Sequence, residues 1–200
     1  MGIGDVDAPT TERRLTRVLQ VSLACLAVYG AVTVALGTFG AAAVSLGITF
    51  VPALLRREYD YAMHPGLVLW ITVAVFLHAV GAAGLYERYQ WYDEIAHFVS
   101  AALMAAFGYA LFRALETHTD EIDVPDAFRG VFIVVFVLST SIVWEVAEFL
   151  IGFFVVYGIE DIATDMVANV VGALVVALAG AGPVSGLVGF FRDRLHSEHS

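Results

Sequence analysis

The sequence predicts an all-α membrane protein, a polytopic bundle of about six transmembrane helices with both termini on the cytoplasmic side. Three observations carry that reading. The chain of 200 residues is 60% hydrophobic with a mean hydropathy of +0.81, far more apolar than a soluble domain of this length requires. Its apolar residues fall in runs of about 20, the length that a ~30 Å hydrocarbon core demands. Arginines punctuate those runs unevenly, and they set the orientation.

The spans follow in order along the chain. An acidic tail, 1–14, precedes the first, about 15–36. The second is about 39–55 and closes at Arg56-Arg57. The third, about 66–86, is entered through His64-Pro65-Gly66, and the fourth, about 93–112, closes at Arg113. The fifth opens after Arg129 and runs to about 157. The sixth is about 161–182 and ends at Gly182-Pro183. The transmembrane domain is therefore 15–182, followed by a tail, 183–200. There Leu187, Val188, Phe190, Phe191 and Leu195 alternate with Arg192, Asp193 and Arg194, which suits a short interfacial helix or a simple end to the bundle.

With the N-terminus inside, nine arginines face the cytoplasm: 13, 14, 17, 56, 57, 113, 129, 192 and 194. Only Arg88 faces out. The short loops 37–40, 87–92 and 158–160 are then external, and the acidic loop 114–129 is internal. Small residues cluster at Gly37, Gly40 and Ala41–Ala43, at Gly81–Gly84, and along Gly172, Ala173, Ala177 and Gly180, where helices in lipid can approach closely. No internal repeat of the kind found in inverted-repeat transporters is visible.

Composition narrows the partners. Twenty acids against ten arginines, with no lysine, give a formal charge of −10. That balance argues against nucleic acid, which needs a basic footprint, and suits a high-salt host. The single Cys25 excludes an internal disulfide. The order Ser22-Leu23-Ala24 before it is wrong for a lipoprotein cleavage site, so the expectation is a buried structural cysteine. Arg13-Arg14 resembles an export signal, but the following run is long enough to span and reads as a retained helix.

Chemistry concentrates in the last three spans. Asp93 and His97 are i and i+4 on one helical face, with Glu94 pointing elsewhere. Glu145 and Glu148 are i and i+3, flanked by apolar residues on both sides. Asp161, Asp165 and Asn169 form a stripe that descends from the outer surface, with Asp165 about 6 Å and Asn169 about 12 Å below Asp161. A charge in hydrocarbon costs at least ~2.5–3.5 kcal/mol on insertion scales, so such groups are rare without a use. Plainer roles exist. Asp93, Glu94 or Asp161 would serve as helix caps, and His97 or His78 as hydrogen-bonded core histidines. Two adjacent carboxylates in low dielectric must share a proton, bind a cation or meet a positive partner. No lysine or arginine lies in any outer half-span, which leaves His97, protons or a metal.

The metal ligands read from this pattern are Asp93, His97, Glu145, Glu148, Asp161, Asp165 and Asn169. His97, Glu145, Glu148 and Asp165 are the candidates for catalysis. Oxygen-rich ligands favour Mg²⁺, Mn²⁺ or Ca²⁺, and the histidine admits Zn²⁺. The same groups also suit a proton relay. Signatures of zinc proteases, serine hydrolases and phosphate-binding loops are absent.

As a set, Tyr92-Asp93-x-x-Ala96-His97-Phe98, Trp144-Glu145-x-x-Glu148-Phe149 and Asp161-x-x-x-Asp165-Met166-x-x-Asn169-x-x-Gly172-Ala173 resemble the YjdF-type family of small inner-membrane proteins. A wider resemblance is to VanZ-like proteins, with Glu94 in place of their lysine and Glu148 in place of their glutamine. The match covers about 85–180. The YjdF type brings no reaction with it. VanZ-like proteins are associated with glycopeptide resistance and envelope biology, which implies membrane lipid as partner and a lipid-linked or glycolipid substrate.

Three readings fit the residues. The first is a metal-assisted or acid–base enzyme near the outer leaflet. The second is a proton- or cation-coupled transporter, which needs a polar path to the inner side. The third is a lipid-binding scaffold whose acids fix helix packing.

Overall fold

The computed structural model describes residues 11–118, 124–151, 158–179 and 185–197, and all regular structure among them is helical. In chain order the helices are α1 (Thr11–Val32), α2 (Leu36–Ile48), α3 (Val51–Tyr59), α4 (Pro65–Val80), the single turn α5 (Tyr86–Arg88), α6 (Trp91–His118), α7 (Asp126–Ile151), α8 (Ile159–Ala179) and α9 (Ser185–Ser197). A π-helical turn, Gly81–Leu85, joins α4 to α5. Six stretches are long and apolar enough to cross a membrane: Thr11–Val32, Leu36–Tyr59, Pro65–Arg88, Trp91–Thr117, Phe128–Ala147 and Ile159–Leu178. Helices satisfy every backbone polar group internally, which hydrocarbon requires. The chain is a multi-pass membrane protein.

Two groups of helices make the bundle. α1, α2 and α4 pack on one another, and α6 packs on α7, α8 and α9. α4 joins the groups along α6, where the Trp70 indole N–H donates to the Val99 carbonyl at 3.2 Å. α6 is the hub because its packed face is alanine: Ala96, Ala101, Ala102, Ala105, Ala106, Ala110 and Ala114 are all buried. Small side chains let neighbouring backbones come close, which is how helices gain contact in lipid. Toward the arginine-rich end the core is built on the apolar side chains of Leu67, Ile71, Ile133, Val137, Val176 and Leu187.

Several boundaries differ from the sequence reading. The turn between the first two spans is at 33–35, not 37–40, and Gly37 and Gly40 lie inside α2. The glycine that matters is Gly30, one turn earlier, where a Cβ would sit 2.6 Å from the Phe39 backbone nitrogen. Val34 takes φ 58° to close that turn, a strained conformation for a β-branched residue. α6 runs on past Arg113 to His118, so the loop expected over 114–129 is much shorter. Glu116 belongs to the helix and bridges Arg113 of its own helix and Arg129 of α7. Asp120, Glu121 and Asp123 lie outside the described residues, as do Asp5, Asp7 and the end of the sixth span at Gly182-Pro183.

Cys25 corrects the expectation of burial: it is exposed. Leu23, two residues earlier on the opposite side of α1, is the buried one. In a membrane bundle both faces of a helix are apolar, so hydrophobicity alone does not say which one packs. The tail does form a helix, α9. It docks on α6 through Leu187, while Phe190 stacks on Tyr61 at 4.5 Å and the Arg194 guanidinium lies 4.1 Å from the Tyr59 ring centre.

Candidate functional site

The site lies at the opposite end of the bundle, where α6 and α8 begin. α6 starts at Trp91, which puts Asp93 in its first turn and His97 one turn deeper. α8 starts at Ile159 after Gly158, whose φ of +130° is glycine's own territory. Asp161 is therefore a first-turn residue rather than the cap. Carboxylates there are favoured by the unpaired N–H groups of the helix start. Asp165 and Asn169 follow at successive turns, on the face turned to α6.

The two helices meet almost without side chains between them. At Gly172, one turn below Asn169, a Cβ would sit 2.6 Å from the Phe98 carbonyl oxygen and 3.0 Å from the Ala102 nitrogen. That approach sets the register of the polar residues above it. His97 Nε2 lies 3.5 Å from Asp93 Oδ1 and 3.7 Å from Asp165 Oδ2. The three ligand atoms of Asp93, His97 and Asp165 lie within 4.8 Å of one another. Asn169 lies within interaction range of the His97 ring. His97 is 5% exposed, and Asp165 and Asn169 are each 3% exposed, so three polar side chains leave bulk solvent together.

More carboxylate surrounds this core. Asp161 lies within electrostatic range of Asp93, His97 and Glu145, and Glu145 within range of Asp93. Glu145 Oε1 and Glu94 Oε2 are buried and accept no hydrogen bond from a described residue. Glu94, expected to point elsewhere, is thus partly enclosed as well. Glu148 is helical in α7, and its side chain lies outside the described part of the structure. Arg88, the arginine at this end of the chain, stacks over Tyr89 at 5.5 Å.

Direct hydrogen bonds would be shorter than 3.5 Å and 3.7 Å. Carboxylates and an imidazole grouped in this way are ligand types for a divalent cation.

Sequence spacing alone did not find the neighbours of His97 on other helices. His78 of α4 packs edge-on against it, with ring centres 5.5 Å apart and planes at 85°. Trp144 of α7 lies 5.7 Å from His78. His78 Nδ1 pairs with the Tyr86 hydroxyl at 2.7 Å, and Nε2 with the Ser100 hydroxyl at 3.0 Å. The pairing of Tyr86 with His78 depends on the π turn, which no periodicity announces, although Gly81-Ala82-Ala83-Gly84 was the available signal.

A family model, DUF2238, described as a predicted membrane protein, matches residues 15–184. No curated protein and no solved structure matches the chain.

Proposed function

The chain belongs to that family of predicted membrane proteins, and we propose that its acidic end is a divalent-cation site for acid–base chemistry on a lipid headgroup. The observation that carries this is the Asp93–His97–Asp165 triad, three ligand atoms within 4.8 Å on two helices locked at Gly172. Asp93, His97 and Asp165 hold the ion, and Asn169 orients His97. Glu145, with a buried oxygen that no described donor occupies, is the general base. A bound divalent ion would polarise the headgroup and lower the pKa of its water. Asp161, within electrostatic range of Asp93, is a further acid of the set, and Glu148, three residues after Glu145 on α7, is a candidate from its spacing.

The bias of nine arginines to one supports a reading in which this end faces out, in the outer leaflet. An impermeant maleimide applied to intact cells should label a cysteine introduced at Gln90, in a Cys25→Ser background. A cysteine introduced at Arg57 should stay unlabelled until the cells are opened. The reverse pattern would place the site at the cytoplasmic face.

The resemblance of the three motifs to YjdF-type and VanZ-like proteins supports an envelope lipid as substrate. Passage of ions is less favoured, because the core below the site is apolar. Thr72, buried there, returns its hydroxyl to the Val68 carbonyl of its own helix.

The test is headgroup turnover. Purified protein in nanodiscs of total polar lipid, supplied with Mn²⁺, should convert one lipid class over time, followed by mass spectrometry. His97→Ala should be inactive. Unchanged lipids together with Mn²⁺ uptake into proteoliposomes would replace this reading with transport.

A further inference from the structure

His78 lies well inside the third span and takes no part in the chemistry above. An imidazole at that depth is costly unless both nitrogens are satisfied. Here each nitrogen meets a hydroxyl, Tyr86 at 2.7 Å and Ser100 at 3.0 Å. Hydroxyls donate or accept, so either neutral tautomer is satisfied and the ring plane is fixed in both.

The backbone is built to deliver Tyr86. Gly81 leaves room for its ring, since a Cβ there would sit 2.2 Å from Tyr86 Cζ. Gly84 turns the chain with φ +118°, a value L side chains rarely adopt. Tyr86 is then backed by the Tyr92 ring at 5.9 Å, and the Tyr92 hydroxyl donates to the Leu77 carbonyl at 3.2 Å. Trp144 closes on His78 from α7 at 5.7 Å. A leucine or phenylalanine would fill this space without a π turn or two hydrogen bonds.

The result is a fixed ring set perpendicular to His97, with centres 5.5 Å apart. Asn169, from α8, lies within interaction range of the His97 ring. We propose that His78, locked by Tyr86 and Ser100, is a positioning residue for His97: it sets the plane in which Nε2 meets Asp93 and Asp165. This rests on the cation-site reading. Ligand histidines are commonly oriented by outer partners, whose loss costs about 10–100-fold in metal affinity. Here the orienting partner is a second imidazole, acting by packing rather than by a hydrogen bond to the ligand.

The experiment is titration of detergent-purified protein with Mn²⁺, alongside the visible absorption of the Co²⁺ form and the thermal midpoint. Tyr86→Phe keeps the ring and removes only the hydroxyl. It should weaken Mn²⁺ binding about tenfold and shift the Co²⁺ bands while leaving the midpoint unchanged. Ser100→Ala cuts the other bond and should do the same, which keeps the test open if Tyr86→Phe does not fold. Wild-type affinity and an unaltered Co²⁺ spectrum in either folded variant would overturn the proposal and leave the cation site standing. A purely structural His78 would give a lower midpoint with that same unaltered spectrum. If the wild type itself bound neither ion, the cation reading would fall and this proposal with it.

Discussion

Asp165→Asn should reduce Mn²⁺ affinity at least a hundredfold without unfolding the protein. The amide keeps the shape of the carboxylate and loses its charge. Asp165 is 3% exposed, with Oδ2 3.7 Å from His97 Nε2, so no water-exposed carboxylate takes its place at that position. Asp93, Asp161 and Glu145 crowd the same region, and like charges in low dielectric oppose one another. Removing one should leave the thermal midpoint of the metal-free protein unchanged or raised. That sign separates a cation site from a scaffold. Acids that serve only to fix helix packing would lower the midpoint when neutralised, because their partners would lose a bond. Isothermal titration with Mn²⁺ and a thermal scan of the metal-free variant check both halves.

Gly172→Leu should be the most disruptive single change in the bundle. Even a methyl group there meets backbone atoms, the Phe98 oxygen at 2.6 Å and the Ala102 nitrogen at 3.0 Å, and backbone cannot swing aside as a side chain can. The helices must separate, and overpacking of this kind costs about 1–3 kcal/mol for a small added group and more for a large one. Gly172→Ala should lower the detergent thermal midpoint by several degrees and weaken Mn²⁺ binding. Gly172→Leu should leave no folded protein that binds the ion. The coupling arises because α6 carries Asp93 and His97 while α8 carries Asp165 and Asn169. Any change in their spacing is felt at the site one to two turns above. If Gly172→Leu purified as a folded, fully metal-competent protein, the close approach would not be what sets the ligand geometry.

Much of this was legible in the sequence, and for identifiable reasons. Span number followed from hydropathy, because hydrocarbon leaves helices little choice. The pairing of Asp93 with His97 followed from i, i+4 spacing, and the stripe Asp161–Asp165–Asn169 from the same periodicity. The two stripes do face one another, with Asp165 Oδ2 3.7 Å from His97 Nε2. Helix ends were harder. The Arg113 boundary was misplaced by over a turn because an arginine marks the membrane surface, not the end of a helix, and Glu116 turned it into an ion-pair site. Cys25 was misassigned because lipid and core are equally apolar. His78 sits against His97 through tertiary packing and an irregular turn, and neither leaves a period in the sequence.

On the proposed reading Asp93, His97 and Asp165 bind one divalent ion between α6 and α8. The most direct measurement is pulsed electron paramagnetic resonance of Mn²⁺ bound to protein carrying ¹⁵N-histidine. The expected spectrum is that of one tightly bound ion with hyperfine coupling to a single directly ligating imidazole nitrogen, lost in His97→Ala. A spectrum of bound Mn²⁺ with no nitrogen coupling, or no bound ion at all, would contradict it.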